Sequence, residues 1–183
     1  MDHGASSYRR YLDGDEAAFE EIVKEYFDNL VWFLDSYVHD LSAAEDIAID
    51  AFTDLVVHRH RYNFKVTLKT YLFMIARSRA LNYVKRQGKF RFTDLSELES
   101  TVDDALPLEQ VILMDEEKKA LYKALETLSP EQKEVVILVY FQDLSCQDAA
   151  SVLKKNVKQV YNLLYRAKEA LRTVLQQEGV FSL

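Results

Sequence analysis

Between residues 157 and 168 the polar side chains Lys158, Gln159, Tyr161, Asn162, Tyr165, Arg166 and Lys168 interleave with Val157, Val160, Leu164 and Ala167. At 3.6 residues per turn the two sets fall on opposite faces of a helix. Arg, Asn and Gln on an exposed face offer the paired donors and acceptors that match base edges, and lysine ammoniums hold phosphates. That is recognition chemistry. For catalysis the residues offer little. The chain has 183 residues with four His and one Cys, Cys146, and none stand at metal-ligand spacing. No nucleophile–base pairing and no glycine-rich phosphate loop is visible, so we expect no enzyme, no metal and no cofactor.

The element that must position this face is a second, shorter helix before it. Ser145 can cap a helix over Ser145–Lys154 with an inner face of Ala149, Ala150, Val152 and Leu153. The turn is Lys154-Lys155-Asn156, where Asn tolerates a left-handed backbone and also caps well. Asn156 and Gln159 stand at capping-box spacing ahead of a helix over 157–176. Its apolar stripe continues through Leu171 and Val174. Small residues where the two helices meet allow a close crossing, as in a helix-turn-helix that lays its second helix in the major groove. An ordinary helical hairpin with a polar face is the alternative.

A second candidate surface emerges from the charge order. The net charge is −7, yet residues 55–91 hold ten basic side chains and no acidic one. Residues 1–54 hold 14 acidic and 3 basic, 93–117 hold nine acidic and no basic, and 144–175 hold six basic and two acidic. A solvated face normally mixes signs; an acid-free block suits phosphates. Tyr62, Phe64, Tyr71, Phe73, Tyr83, Phe90 and Phe92 lie in or beside it, and some could stack on unpaired bases.

The rest of the chain reads as helical. Only four Gly and two Pro are present, which favours long helices and short connections. The periodicity predicts a helix from Asp13 to about His39 and one opened by a Ser42–Glu45 capping box and running to about Arg59. A loop over 61–67 follows, then a helix over 68–87 ended by Gly88. Beyond it come a helix over 107–125 and one opened by Ser129-Pro130. The fold class is all-α, with two small helical domains: 1–91, an acidic linker over 92–107, and 108–183. The linker's charge would repel DNA and could mask a basic surface. The sequence shows no signal peptide and no stretch as long as a membrane span, so a cytoplasmic protein is expected.

These segments resemble one family, the extracytoplasmic-function sigma factors of bacterial RNA polymerase, over about residues 12–90 and 108–175. SAAEDIAIDAFTDLVVHRHRY is similar to the family's D-A-E-D-L-V-Q-E-x-F segment, and TYLFMIARSRALNYVKR to W-L-Y-R-I-A-x-N-x-A-x-D-x-x-R. LSPEQKEVVILVYFQDLSCQDAASVLKKNVKQVYNLLYRAKEAL is similar to L-P-x-x-x-R-x-x-x-x-L-x-x-x-x-G-L-S-x-x-E-I-A followed by V-x-x-x-x-x-R-A-x-x-x-L. In place of the family's Gln-Glu pair stand Ile49-Asp50; Tyr71 replaces a Trp, Ser78 an Asn and Asn82 an Asp.

The resemblance implies a sigma factor that binds core RNA polymerase and directs it to promoters. Its first domain would recognise and melt the minus-ten element, and its second would read the minus-thirty-five element. Asp46, Ile49, Asp50 and Phe52 would face the clamp helices of the polymerase's largest subunit, with the flap as a further contact. Arg61, Tyr62, Asn63, Phe64, Lys65, Tyr71, Ser78 and Asn82 would hold the melted strand, and Arg77, Arg79, Lys85 and Arg86 its backbone. An anti-sigma factor is an implied partner. Two other readings remain open at this point: a stand-alone helix-turn-helix regulator, which leaves the acid-free block unexplained, and a helical adaptor, which leaves both basic surfaces unused.

Overall fold

The computed structural model describes residues 2–93 and 124–177. The chain divides into two compact units, and the described residues form helices with no strand among them. The first unit contains α1 (His3–Leu12), α2 (Glu16–Val38), α3 (Leu41–Val57) and α4 (Leu68–Thr93); the second contains α5 (Pro130–Val136) and α7 (Val157–Gln177), with α6 (Cys146–Leu153) between them in sequence. The expectation of an all-helical chain is met.

In the first unit α2 is the central element, packed against α1, α3 and α4. Its buried stripe is Ala18, Ile22, Tyr26, Leu30, Val31, Phe33 and Leu34. Opposite it lie Ala44, Ile47, Ala48, Ala51, Phe52 and Leu55 of α3 and Leu68, Leu72, Phe73, Ala76 and Ala80 of α4. Small alanines at these crossings let the helices approach closely, and the large rings fill the remaining volume.

Three boundaries differ from the sequence expectation. His3–Leu12 form a helix of their own, separated from α2 by a turn in which Gly14 takes φ +103. HGASSYRRYL has low intrinsic helix propensity; tertiary packing makes it a helix. Tyr8 is fully buried, and Gly4 lies so close to the Tyr26 phenol that a Cβ there would collide with it. Arg10 bonds both Asp15 and Glu21, 2.9 Å from each, across the turn. Second, α3 is capped by Asp40, whose Oδ1 accepts from Ala43 N at 3.1 Å, and not by the Ser42–Glu45 box. Third, α4 passes through Gly88 to Thr93. Gly costs a helix only about 1 kcal/mol, which the neighbouring Lys, Arg and Gln absorb. Phe92 and Thr93 therefore belong to α4, whereas the rest of the acidic linker and the helix expected from 107 lie outside the described residues up to 123.

The second unit follows the expected order. Ser129 and Gln132 form a reciprocal capping box, with Ser129 N donating to Gln132 Oε1 at 3.0 Å. α5 widens into a π turn over Ile137–Phe141, and Gln142 N donates to Ile137 O at 2.9 Å. Val135, Val136, Ile137, Leu138, Leu144, Ala149 and Ala150 are buried, and α5 packs against α7, whose Val160, Leu164 and Ala167 are buried as well.

Candidate nucleic-acid interface

The turn between α6 and α7 is built tightly. Ser145 caps α6, accepting from Asp148 N at 3.1 Å. Lys154, and not Asn156, takes the left-handed backbone, at φ +54. Lys155 reaches Glu131 at 2.7 Å and ties the turn to the start of α5. Asn156 then caps α7: its Oδ1 accepts from Gln159 N at 2.9 Å, while Gln159 Oε1 accepts from Asn156 N at 2.8 Å. Beyond this cap Lys158, Gln159, Tyr161, Asn162, Tyr165, Arg166 and Lys168 are all exposed, and Val160, Leu164 and Ala167 are buried. The helix thus carries a polar row on a rigid base. Gln159 has spent its oxygen on the cap and keeps only its amide donors. Lys168 lies 5.3 Å from the centroid of the Tyr140 ring.

In the first unit the α3–α4 loop alternates. Arg61, Asn63 and Lys65 are exposed; Tyr62 is buried. Tyr62 Oη donates to Val66 O at 2.7 Å, and its ring packs 4.6 Å from Phe64 and 5.1 Å from Tyr71. Burial pushes the Tyr62 phenol well above its ordinary pKa, so it stays a neutral donor within the core. Asn63 Oδ1 accepts from Lys65 N at 3.1 Å, a side-chain turn that holds the loop. Thr67 caps α4, accepting from Thr70 N at 3.0 Å. Along α4, Tyr71, Ser78, Asn82 and Lys85 recur at intervals of seven, four and three and so share a face. Tyr71 is half-buried; the other three are exposed. Arg77 sits about 100° round the helix from Ser78, off that face. Arg86 is exposed on the next turn.

On α3, beyond its exposed first turn, the side chains Asp46, Ile49, Asp50, Thr53 and Val57 are exposed and share one face at 100° per residue. Ile49 is 53% and Val57 65% exposed. Phe52 points the other way, between the Phe19 and Phe27 rings. Arg79 of α4 crosses to this helix and bonds Asp50 at 2.9 Å and Asp54 at 2.8 Å.

Two family models match in this order: Sigma-70 region 2 over residues 22–90 and Sigma-70, region 4 over residues 118–171, together more than half of the chain. The chain belongs to the extracytoplasmic-function sigma factors. Among curated relatives, it is 26% identical over 156 residues to RNA polymerase sigma factor YlaC of Bacillus subtilis, covering 85% of this chain and 90% of that one. It is 27% identical to the RNA polymerase sigma-H factor of Pseudomonas aeruginosa, covering 91% of each. Among solved structures, the fold is similar to the sigma factor RpoE from Bartonella quintana, solved with the anti-sigma factor NepR (TM-score 0.70, 22% identity, 86% of this chain and 96% of that one). It is also similar to CnrH, solved with the cytosolic domain of CnrY (TM-score 0.64, 20% identity, 96% of each).

Within this sigma factor the residues expected at each surface divide. Arg61, Asn63, Lys65, Ser78, Asn82, Lys85 and Arg86 are accessible, and Phe64 and Tyr71 are half-buried. Tyr62 is withdrawn, because its ring is part of the core and its hydroxyl is used by the backbone. Phe52 is withdrawn for the same reason: it fills the α2–α3 contact. Arg79 is not free for a phosphate, because its guanidinium is held by two carboxylates. Val57 was missed; its signal was available, since it stands eight residues after Ile49 on the same face of α3. Among the described residues no group of three His, Cys, Asp or Glu could hold a metal ion, and no helix is long and apolar enough to cross a membrane.

Proposed function

We propose that this sigma factor docks on core RNA polymerase through Asp46, Ile49 and Asp50 of α3, joined by Val57. The loop residues Arg61, Asn63, Phe64 and Lys65, with Tyr71, Ser78, Asn82, Lys85 and Arg86 of α4, hold the melted minus-ten strand. The α7 row of Lys158, Gln159, Tyr161, Asn162, Tyr165, Arg166 and Lys168 reads the minus-thirty-five duplex. The observation that carries this reading is the α7 row itself: a continuous polar face, exposed along its length and mounted on a doubly capped turn. Such a helix end fits a major groove. The polymerase supplies the chemistry of RNA synthesis and the chain supplies recognition, in the cytoplasm where the polymerase works. The neighbour from Bartonella quintana was solved in complex with an anti-sigma factor, and a protein of that class is the expected partner here.

The test is transcription from a randomised promoter library by purified core polymerase with and without the chain, with the starts sequenced. New start sites preceded by two fixed elements are expected. Absence of new starts together with failure to co-purify with core would refute the reading.

A further inference from the structure

The α3–α4 loop is held at both ends and over its middle by α1 and the Asp2 that precedes it. Tyr8, fully buried, shares its hydroxyl between the carbonyls of Leu55 and Arg59, 3.0 Å from each, where α3 ends. Asp2 Oδ2 accepts from Leu68 N at 2.9 Å, where α4 begins. The Arg9 guanidinium lies 4.7 Å from the centroid of Phe64, and Phe64 takes φ +59, a left-handed backbone that a bulky side chain rarely adopts. The Tyr8 ring packs edge-on against Tyr62 at 5.5 Å, beneath the same loop. A residue in such a conformation persists only where its surroundings over-determine it. Here those surroundings are the Asn63 turn and the Tyr62 ring within the loop, and over them Tyr8 and Arg9 of the first helix. Phe64 stands between Asn63 and Lys65, so its backbone sets where those two exposed side chains project.

We propose that Asp2, Tyr8 and Arg9 are positioning residues for promoter base preference: by fixing both ends of the loop and the Phe64 backbone, α1 decides which bases Asn63 and Lys65 can meet. This rests on the minus-ten reading above. It gives a helix that presents none of the proposed reading side chains a part in specificity.

The test measures base preference at randomised minus-ten positions with the reconstituted holoenzyme. Tyr8→Phe, Asp2→Asn and Arg9→Gln are compared with the wild type. Ile22→Val on α2 serves as a core control that perturbs packing without touching the three ties. Each of the three variants should flatten discrimination at the loop-read positions about five-fold, the equivalent of one net hydrogen bond. Core-polymerase Kd and minus-thirty-five preference should stay unchanged. Arg9→Gln alters an exposed side chain, so it keeps the test open should a buried variant fold poorly. An unchanged profile in all three variants, or an equal flattening by Ile22→Val, overturns the proposal. If Asn63→Ala shifts the preference and Tyr8→Phe does not, only the role of α1 fails. If Asn63→Ala and Lys65→Ala both leave the preference intact, the loop is no reader and both readings fall.

Discussion

Glu134 of α5 is a buried carboxyl, 8% exposed. Desolvation raises its pKa from 4.5 to about 7, against a smaller opposing pull from Lys155. The folded form therefore holds a proton that the unfolded chain has lost. Stability from this source is fully present below pH about 4.5 and is lost as pH rises through about 7. We predict that Glu134→Gln matches the wild type near pH 4.5 and is the more stable above pH 7. The gap corresponds to about 2–3 kcal/mol and is readable as a pH-dependent difference in urea midpoints. A gap that does not change with pH would contradict this. Periodicity placed position 134 in a helix next to apolar neighbours, but the sequence gives no depth. Tyr62 shows the same limit: an aromatic among cations reads as a stacking ring until its burial is known.

At the scale of elements, α3 shows what a pattern can and cannot tell. Its exposed face was legible in Asp46 and Asp50, because the stripe of Ala44, Ile47, Ala48, Ala51 and Leu55 marks the buried side and leaves Ile49 opposite it. Phe52 was misassigned to that face by motif position, although three residues from Ile49 it falls on the flank that meets α2. Two substitutions separate these roles. Phe52→Ala should cost about 3–5 kcal/mol of stability and reduce every activity together. Ile49→Ala should leave the thermal midpoint almost unchanged, as exposed positions do, while weakening core-polymerase binding about ten-fold, as loss of an apolar anchor would. Binding measured at equal folded concentration decides it; equal losses in both variants would remove α3 as the docking face. α1 was illegible for a different reason. Its sequence has low helix propensity and only a two-turn stripe of Gly4, Tyr8, Tyr11 and Leu12, and it is helical because Gly4 admits Tyr26 and Tyr8 finds two carbonyls.

Across the whole molecule the charge order remains the most informative property of the sequence, more so than the net value of −7. The helical class was readable from the scarcity of turn residues, the caps and the apolar periodicity. The ion pairs were not, since Asp50 and Arg79 are 29 residues apart. For the free chain we predict weak duplex binding carried by about three phosphate contacts from α7, giving a log–log salt slope near −3. A four-fold rise in salt should then weaken it about fifty-fold, as measured by anisotropy on a minus-thirty-five duplex. A slope near zero would mean that the lysines of α7 do not meet the backbone. Arg79 has one more consequence. Its Nε is buried with no partner, and its remaining nitrogens depend on Asp50 and Asp54. Engineers who build chimaeras by exchanging docking helices between sigma factors would, in this chain, strand a guanidinium in a half-dry pocket. α3 and α4 must travel as one cassette, and recombination breakpoints belong after α4, not in the loop between them.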